Sequence, residues 1–242
     1  MDRPLFFVGT DHTTDAAHLN RSMLSVNILL TRKSDFRVSD WIMDSGAFTR
    51  ISSGREHLPL EEYAGMIDRW SRCGNLLAAV AQDYMCEQFI LDVTGLTVDD
   101  HQRMTIERYD ALLPLVTATH LMPVLQGYEP EDYVRHIGQY GDRLEPGSWV
   151  GIGSVCKRNS SVGEVEAVMD AVVGERPDLR YHGFGLKLTA LTSFVVSDGL
   201  YSCDSMAWSY AARRQGRNAH DVNEAIRYAK RVNSLPVQTR ML

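Results

Sequence analysis

The stretch LMPVLQGYEPEDYVRHIGQ, residues 121–139, contains the local pattern that decides the fold. A short apolar run at residues 121–125 is typical of a buried strand. The turn residues Gly127, Tyr128 and Glu129 follow, and Pro130 then opens an amphipathic stretch at the position where proline favours a helix start. The pattern predicts one strand followed by one helix.

This strand-helix unit recurs along the chain. Strands are predicted at residues 5–8, 25–30, 41–43, 77–81, 121–125, 149–152, 181–184 and 200–203. Helices are predicted at residues 60–72, 98–116, 130–139, 161–173 and 220–232. Parallel neighbouring strands need such crossovers, so the alternation predicts an α/β fold with a parallel sheet. We expect residues 1–242 to form a single (β/α)8 TIM-like barrel, while a doubly wound sheet or two small domains also fit the length.

Composition excludes several classes of protein. The 242 residues carry 25 Lys and Arg against 31 Asp and Glu, a formal charge of -6, which excludes a nucleic-acid binder that works by bulk positive charge. No stretch approaches the roughly 20 apolar residues that span a bilayer, so we expect a soluble, cytoplasmic protein. The four cysteines and the histidines show no metal-ligand spacing, so we expect the protein to have no metal site and no cofactor.

Polar residues and glycines gather where the predicted strands end. These segments are Gly9-Thr10-Asp11-His12, Asp44-Ser45-Gly46, Gln82-Asp83-Tyr84, Gln126-Gly127, Gly153-Ser154, Gly185-Leu186-Lys187 and Asp204-Ser205. Each segment alone is also compatible with an ordinary turn or helix cap. Because the carboxyl ends of parallel strands form the active-site face of such folds, the set together favours an enzyme.

The side chains at these strand ends indicate the kind of chemistry. Asp44 and Asp204 come from distant strands, and two carboxylates in one site can act as nucleophile and as acid/base in glycosidic chemistry. Asp83 and Gln126 offer both donors and acceptors, which suits the edge of a planar heterocycle better than a sugar. The residue pattern by itself predicts an α/β enzyme with acid/base or glycosyl chemistry.

Six short segments resemble, in the same order, motifs of the tRNA-guanine transglycosylase superfamily. They are MDSGAF at 43–48, AVAQD at 79–83, PVLQG at 123–127, VGIGS at 150–154, HGFG at 182–185 and YSCDS at 201–205. An ordered set is more specific than any one of these short motifs. The last segment is similar to the one that holds the nucleophile in that superfamily.

The chain also departs from the tRNA-acting enzymes. Those enzymes carry a C-terminal zinc insertion of the CxCxxC and His type, which residues 205–242 cannot supply. The segments WIMDSGAF, GIGSVCKR and SCDSMAWSYAARR look most like the DNA-acting, DpdA-type branch of phage or bacterial origin. The resemblance therefore implies a barrel without the zinc insertion that exchanges guanine in DNA for a 7-deazapurine base such as preQ0.

The resemblance also implies residue roles. Asp204 would attack the sugar as nucleophile, and Asp44 would act as acid and then as base. The residues expected to bind the base are Asp83, Gln126, Gly127, Gly153, Ser45 and Phe48. Phosphate contacts are expected from the basic residues that follow strand ends, namely Lys157, Arg158, Lys187, Arg213, Arg214 and Arg217. For the three C-terminal arginines, a solvated helix face that pairs with Asp and Glu is a comparable explanation.

Other functions remain open at this point. A retaining glycoside hydrolase could use the same pair of aspartates, although the short loops lack the expected sugar-stacking aromatics. A catalytically silent nucleic-acid-binding relative would have no need of both Asp44 and Asp204. Exchange in tRNA rather than DNA is the closest alternative, and family analogy suggests a homodimer.

Overall fold

The computed structural model describes residues 3–155 and 161–235, and its nine strands form one parallel sheet. The strands are β1 Leu5–Thr10, β2 Arg21–Ser25, β3 Asp40–Asp44, β4 Asn75–Val80, β5 His120–Met122, β6 Val124–Leu125, β7 Trp149–Ile152, β8 Arg180–Gly183 and β9 Leu200–Ser205. Their order across the sheet is β5-β4-β3-β2-β1-β9-β8-β7-β6. The predicted α/β class and the parallel sheet are confirmed.

The sheet curls into a nearly closed, barrel-like structure because its two outer strands are neighbours in sequence. Only Pro123 separates β5, which pairs with β4, from β6, which pairs with β7. The amide of Gly151 donates to the carbonyl oxygen of Pro123 at 2.8 Å, so this junction is itself hydrogen-bonded to β7. Nε2 of His120 lies 2.8 Å from the carbonyl oxygen of Trp149 and must carry the proton, since a carbonyl only accepts.

Helices occupy most of the connections between strands. They are α1 Thr13–Ala16, α2 Ala47–Ile51, α3 Leu60–Trp70, α4 Gln88–Thr94, α5 Val98–Leu112, α6 Pro130–Tyr140, α7 Val162–Glu175, α8 Leu188–Leu191, α9 Phe194–Gly199, α10 Ala207–Arg214 and α11 Val222–Asn233. The connection from β2 to β3 instead contains a short 3-10 turn at Val26–Ile28, which departs from a strict strand-helix repeat. None of the described helices is long and apolar enough to cross a membrane.

The predicted second strand at residues 25–30 is wrong. The strand is Arg21–Ser25, and it ends where the Ser25 hydroxyl accepts a hydrogen bond from the amide of Asn27 and caps the 3-10 turn. Val26 and Leu29, three residues apart, are both buried, which is helical rather than strand spacing. The apolar residues of this run are buried, but they lie in a turn and not in a strand.

Alternation along the strands divides the core into two parts. One layer fills the inside of the curled sheet with side chains from different strands, namely Phe7, Met23, Ile42, Ala78, Val80, Met122 and Val124. A larger cluster, with Trp41 and Met43 among its members, lies between the sheet and the helices. Because side chains alternate along a strand, Asp44 points the same way as Ile42, toward the inside at the carboxyl end of β3. The packed inner layer thus forms a floor beneath a polar site.

Candidate functional site

A cavity of about 360 Å³ opens above this floor, at the carboxyl ends of the strands. Six of the eight residues expected to catalyse the reaction or bind the base line it, namely Asp44, Phe48, Asp83, Gln126, Gly153 and Asp204. Ser45 is buried behind Asp83, and its hydroxyl lies 3.5 Å from Oδ1 of that residue. Gly127 is outside the cavity and packs against α6, where a Cβ would come within 2.7 Å of the Asp132 side chain.

Asp44 is the last residue of β3, and the turn after it holds its carboxylate. The amide of Gly46 donates to Oδ2 of Asp44 at 2.9 Å. Gly46 has a left-handed φ of 71°, and a Cβ there would lie 2.3 Å from the side-chain nitrogen Nδ2 of Asn27, so this turn requires glycine. Burial raises the pKa of Asp44 to about 6, the charge of Asp204 adds to the rise, and the Gly46 hydrogen bond opposes it. Asp44 can therefore hold a proton near neutral pH.

Asp204 lies near the end of β9 and is held through one of its two oxygens. The amide of Gly185 donates to Oδ1 at 2.9 Å, and Nε2 of His182 lies 3.3 Å from the same atom. Among the described residues, no hydrogen bond reaches Oδ2. That oxygen keeps its lone pairs for another partner.

A buried chain of hydrogen bonds sets the tautomer of His182. The Trp149 indole nitrogen can only donate, and it contacts the Ser202 hydroxyl oxygen at 2.8 Å. The Ser202 hydroxyl is then free to donate its own proton to Nδ1 of His182, also at 2.8 Å. Nε2 of His182 then carries the ring proton and donates it to Asp204, whose carboxylate only accepts. Sequence reasoning missed His182, because only its position on β8 beside β9 brings it under Asp204.

Asp83 and Gln126 form the second polar pair in the cavity. The Gln126 side-chain amide donates to Oδ2 of Asp83 in a short hydrogen bond, which leaves the Gln126 carbonyl oxygen to accept from Ser154 at 2.8 Å. Burial raises the pKa of Asp83 to about 7, the Gln126 bond opposes the rise, and the charges of Asp44 and Glu87 add to it. Gly153 permits this arrangement, because a Cβ there would lie 2.2 Å from the Gln126 amide nitrogen.

Ser154 and Glu87 extend this pair into a buried network that the sequence did not reveal. The Ser154 hydroxyl lies 2.9 Å from Oε2 of Glu87 and accepts from the amide of Cys86 at 3.0 Å. Its single proton thus has two acceptors, Glu87 and Gln126. Ser154 has a left-handed φ of 56°, which is uncommon outside glycine and typical of functional sites. Ser154 was visible as a strand-end residue, whereas no sequence signal marked Glu87, since its burial depends on the loop before α4.

The basic residues predicted to contact phosphate are more scattered. Lys157 and Arg158 lie outside the described residues. Lys187 is exposed just before α8, and Arg213 and Arg214 are exposed in the last turn of α10. Arg217 donates to Glu224, whose carboxylate also contacts Arg227 at 2.6 Å. The four that the structure describes do not line the cavity, and the pairing of Arg217 matches the structural explanation offered for it.

A separate cluster of possible metal ligands lies next to the cavity. Gly9 and Thr10 line the cavity, and the following residues, Asp11 and His12, meet His220. The sequence predicted no metal ligands, and it separates the two histidines by almost the whole chain.

Comparison with known proteins gives one family. Residues 20–234 match the family model described as DpdA, DeoxyPurine in DNA protein A. No curated protein matches the chain. The matched range covers most of the chain and includes Asp44, Asp83 and Asp204.

Proposed function

The chain belongs to the DpdA family of DNA-modifying transglycosylases, and on that basis we propose that it exchanges guanine in DNA for a 7-deazapurine base, preQ0, through a covalent intermediate on Asp204. The observation that carries the proposal is that one cavity contains both a pair of carboxylates and a polar edge suited to a flat base. Asp44 and Asp204 supply two carboxylates in different environments, and Asp83 with Gln126 supplies a polar edge for a flat base.

The first half of the reaction removes guanine. Oδ2 of Asp204 attacks C1′ of the deoxyguanosine, and the bond from C1′ to N9 of guanine breaks. The electron pair of that bond stays on guanine, and protonated Asp44 donates its proton to the departing base. A pKa of about 6 supports this role, because an ordinary aspartate would already have lost the proton near neutral pH.

The second half inserts the new base. Asp44, now a carboxylate, takes the proton from N9 of the incoming 7-deazapurine. N9 then bonds to C1′, and the ester bond between C1′ and Asp204 breaks. Both aspartates return to their starting protonation states, so one proton serves the whole cycle.

Asp83 and Gln126 are proposed to read the base. The Asp83 carboxylate can accept from the ring N–H and the exocyclic amino group of a guanine-like edge, and the second amide proton of Gln126 can donate to its carbonyl oxygen. Donors brought by the base favour the ionised form of Asp83, which burial disfavours in the free protein. The backbone at Gly153 closes this side of the cavity.

The target base must leave the stack of the duplex before it reaches these residues. Phe48 is suited to stack on it, because this side chain lines the cavity, remains 40% exposed and packs edge-on against Phe89. Phosphate contacts are proposed for the exposed residues Lys187, Arg213 and Arg214, together with Lys157 and Arg158. Such contacts make DNA affinity fall as salt rises.

We also infer that the barrel is a variant of the (β/α)8 fold over residues 1–242. If β5 and β6 count as one strand that changes partner at Pro123, eight strands remain. The connection from β2 to β3 is then the one that has lost its helix.

The decisive experiment is a base-exchange assay. The protein is incubated with preQ0 and either duplex DNA or tRNA, and the nucleic acid is digested to nucleosides for mass spectrometry. Incorporation only into DNA supports the proposal, incorporation only into tRNA replaces the substrate, and incorporation into neither contradicts base exchange.

A second experiment tests the intermediate. Asp204→Asn should abolish a denaturation-resistant adduct between protein and DNA. Asp198→Asn, an exposed aspartate in α9, is the matched control and should retain it. An adduct that survives in Asp204→Asn removes Asp204 from the role of nucleophile.

A further inference from the structure

Two histidines and an aspartate from opposite ends of the sequence meet beside the cavity. Asp11 and His12 follow β1, and His220 lies in the loop before α11. Nε2 of His12 is 3.7 Å from Oδ1 of Asp11, and Nδ1 of His220 is 3.3 Å from Oδ2. One ligand atom from each of the three residues lies within 4.8 Å of the other two. We propose that Asp11, His12 and His220 bind a divalent transition-metal ion of the Zn²⁺ class.

The spacing fits a metal better than it fits hydrogen bonds. Zinc binds imidazole nitrogen and carboxylate oxygen at about 2.0–2.2 Å, so two ligands of a tetrahedral ion lie roughly 3.3–3.5 Å apart. The separation of 3.3 Å from His220 to Oδ2 of Asp11 lies in that range, and the separation of 3.7 Å from His12 to Oδ1 lies just above it. A contact of 3.7 Å is too long for a hydrogen bond. Without an ion, the approach of His12 to Asp11 adds little to the stability of the protein.

One oxygen of the cluster needs a partner. Oδ1 of Asp11 is buried, and among the described residues it has no hydrogen-bond partner. A buried polar atom left without a partner destabilises the folded protein. A cation held by the Asp11 carboxylate and the two imidazoles would give this oxygen a partner, whereas the contact of His220 with Oδ2 leaves Oδ1 unsatisfied.

The donor set selects the class of ion. Two imidazole nitrogens and one carboxylate suit zinc and its first-row neighbours, whereas magnesium and calcium prefer oxygen ligands throughout. The histidine rings converge at 5.3 Å between centroids. Their side chains are 52% and 54% exposed, so an ion can enter from solvent and a fourth position remains open to water.

Both loops are held by local hydrogen bonds that do not involve the ligand atoms. The amide of His12 donates to the Thr10 hydroxyl at 3.2 Å, and the amide of His220 donates to the Asn218 side chain at 3.0 Å. A bound ion would therefore join two ordered loops and tie the first strand to the C-terminal helices. The proposal does not rest on base exchange, since none of the three residues has a role in it.

Zinc binding to the untagged protein tests the site. After treatment with a chelator, the protein is titrated with Zn²⁺ alone by calorimetry, and its thermal midpoint is measured with and without the ion. We expect one equivalent to bind and to raise the midpoint. Loss of a residue that only orients a metal ligand weakens binding by about 10- to 100-fold. His12→Ala, His220→Ala and Asp11→Asn each remove a ligand and should weaken zinc binding by more than that.

The control is His18→Ala, because His18 is another exposed histidine in the same region of the chain and lies outside the cluster. It should bind zinc as the wild type does. Equal zinc affinity in the wild type and in the double variant His12→Ala/His220→Ala would overturn the proposal, as would the absence of binding to the wild type. Circular dichroism establishes that each variant is folded, which the exposed positions of the histidines favour.

Discussion

Asp44 and Asp83 have raised pKa values because the cavity removes their carboxyl groups from water. In the unfolded chain both residues ionise near 3.8, whereas in the folded protein they ionise near 6 and 7. Between these values the folded state binds more protons than the unfolded state. Their contribution to the free energy of unfolding therefore falls as pH rises from about 4 to about 7.

Replacing either aspartate by asparagine, which does not ionise, should remove this loss of stability at higher pH. Asparagine keeps an oxygen that can accept from Gly46 or from Gln126. We expect Asp44→Asn and Asp83→Asn to gain stability relative to the wild type between pH 5 and pH 8, by on the order of 1–3 kcal/mol at pH 8. Urea unfolding at the two pH values measures it. Asp198→Asn should show no such change, and a pH-independent difference in the cavity variants would contradict the explanation.

The chain from Trp149 through Ser202 and His182 to Asp204 is the other feature at this scale. It makes His182 a positioning residue, since it contacts the proposed nucleophile and does not line the cavity. In the proposed reaction, its donation to Oδ1 would leave Oδ2 directed toward the sugar. Small errors in such alignment can slow a reaction about 100-fold.

His182→Ala should slow formation of the protein–DNA adduct by about 10- to 100-fold while affinity for the free base stays unchanged. His182→Gln can donate from a similar position and should recover part of the rate. Quenched-flow measurement of the adduct, with calorimetry for the base, separates the two effects. If alanine and glutamine cause equal losses, the residue serves packing rather than positioning.

At the scale of the elements, the backbone directly after β7 sets the position of the Gln126 side chain, which follows β6. Gly153 follows β7 and leaves room for the Gln126 amide to reach Asp83. A methyl group there would collide with that amide, because the Tyr133 hydroxyl fixes the Gly153 carbonyl oxygen at 2.8 Å. The proposed recognition of the base therefore depends on a residue that presents no side chain.

Gly153→Ala should weaken binding of the free base by about 10- to 100-fold, the value of a hydrogen bond to a charged group. Isothermal calorimetry with preQ0 measures it. Gly138→Ala in α6 is the matched control, since a Cβ there meets nothing within 4 Å and alanine favours helix by up to about 1 kcal/mol. Unchanged base affinity in Gly153→Ala would contradict the role of Gly153.

Prediction from sequence succeeded for elements with a clear period and a boundary signal. Helix α6 begins at Pro130 as expected, and α3 begins at Leu60, directly after Pro59. The run at residues 25–30 failed because a single apolar run does not distinguish a strand from a buried turn. The helices α1, α2, α4, α8, α9 and α10 were not predicted, because their four to eight residues show too little periodicity.

At the scale of the whole molecule, the two ends of the described chain are joined. Strand β1 pairs with both β2 and β9, the Trp208 indole donates to the Gly9 carbonyl oxygen at 2.8 Å, and the Phe6 and Tyr228 rings lie 5.9 Å apart. Contacts of this kind couple distant segments during unfolding. The parallel sheet brings the strand ends to one edge, where six of the expected site residues line one cavity, whereas the approach of His12 to His220 depends on these contacts and could not be foreseen.

We expect a single cooperative unfolding transition for the whole chain. Far-UV and near-UV circular dichroism should give coincident curves, and the calorimetric enthalpy should equal the van't Hoff enthalpy. Two separate transitions would contradict the single domain predicted from sequence.

The junction at Pro123 has a consequence for the behaviour of the protein in concentrated solution. Open sheets present rows of unpaired amides and carbonyls that can recruit a strand from another molecule. Here the two outer strands are consecutive pieces of one path, and both His120 of β5 and Pro123 at the junction are hydrogen-bonded to β7. Little template remains for edge-to-edge aggregation, so a change that opens this junction should promote fibre formation before it abolishes the fold.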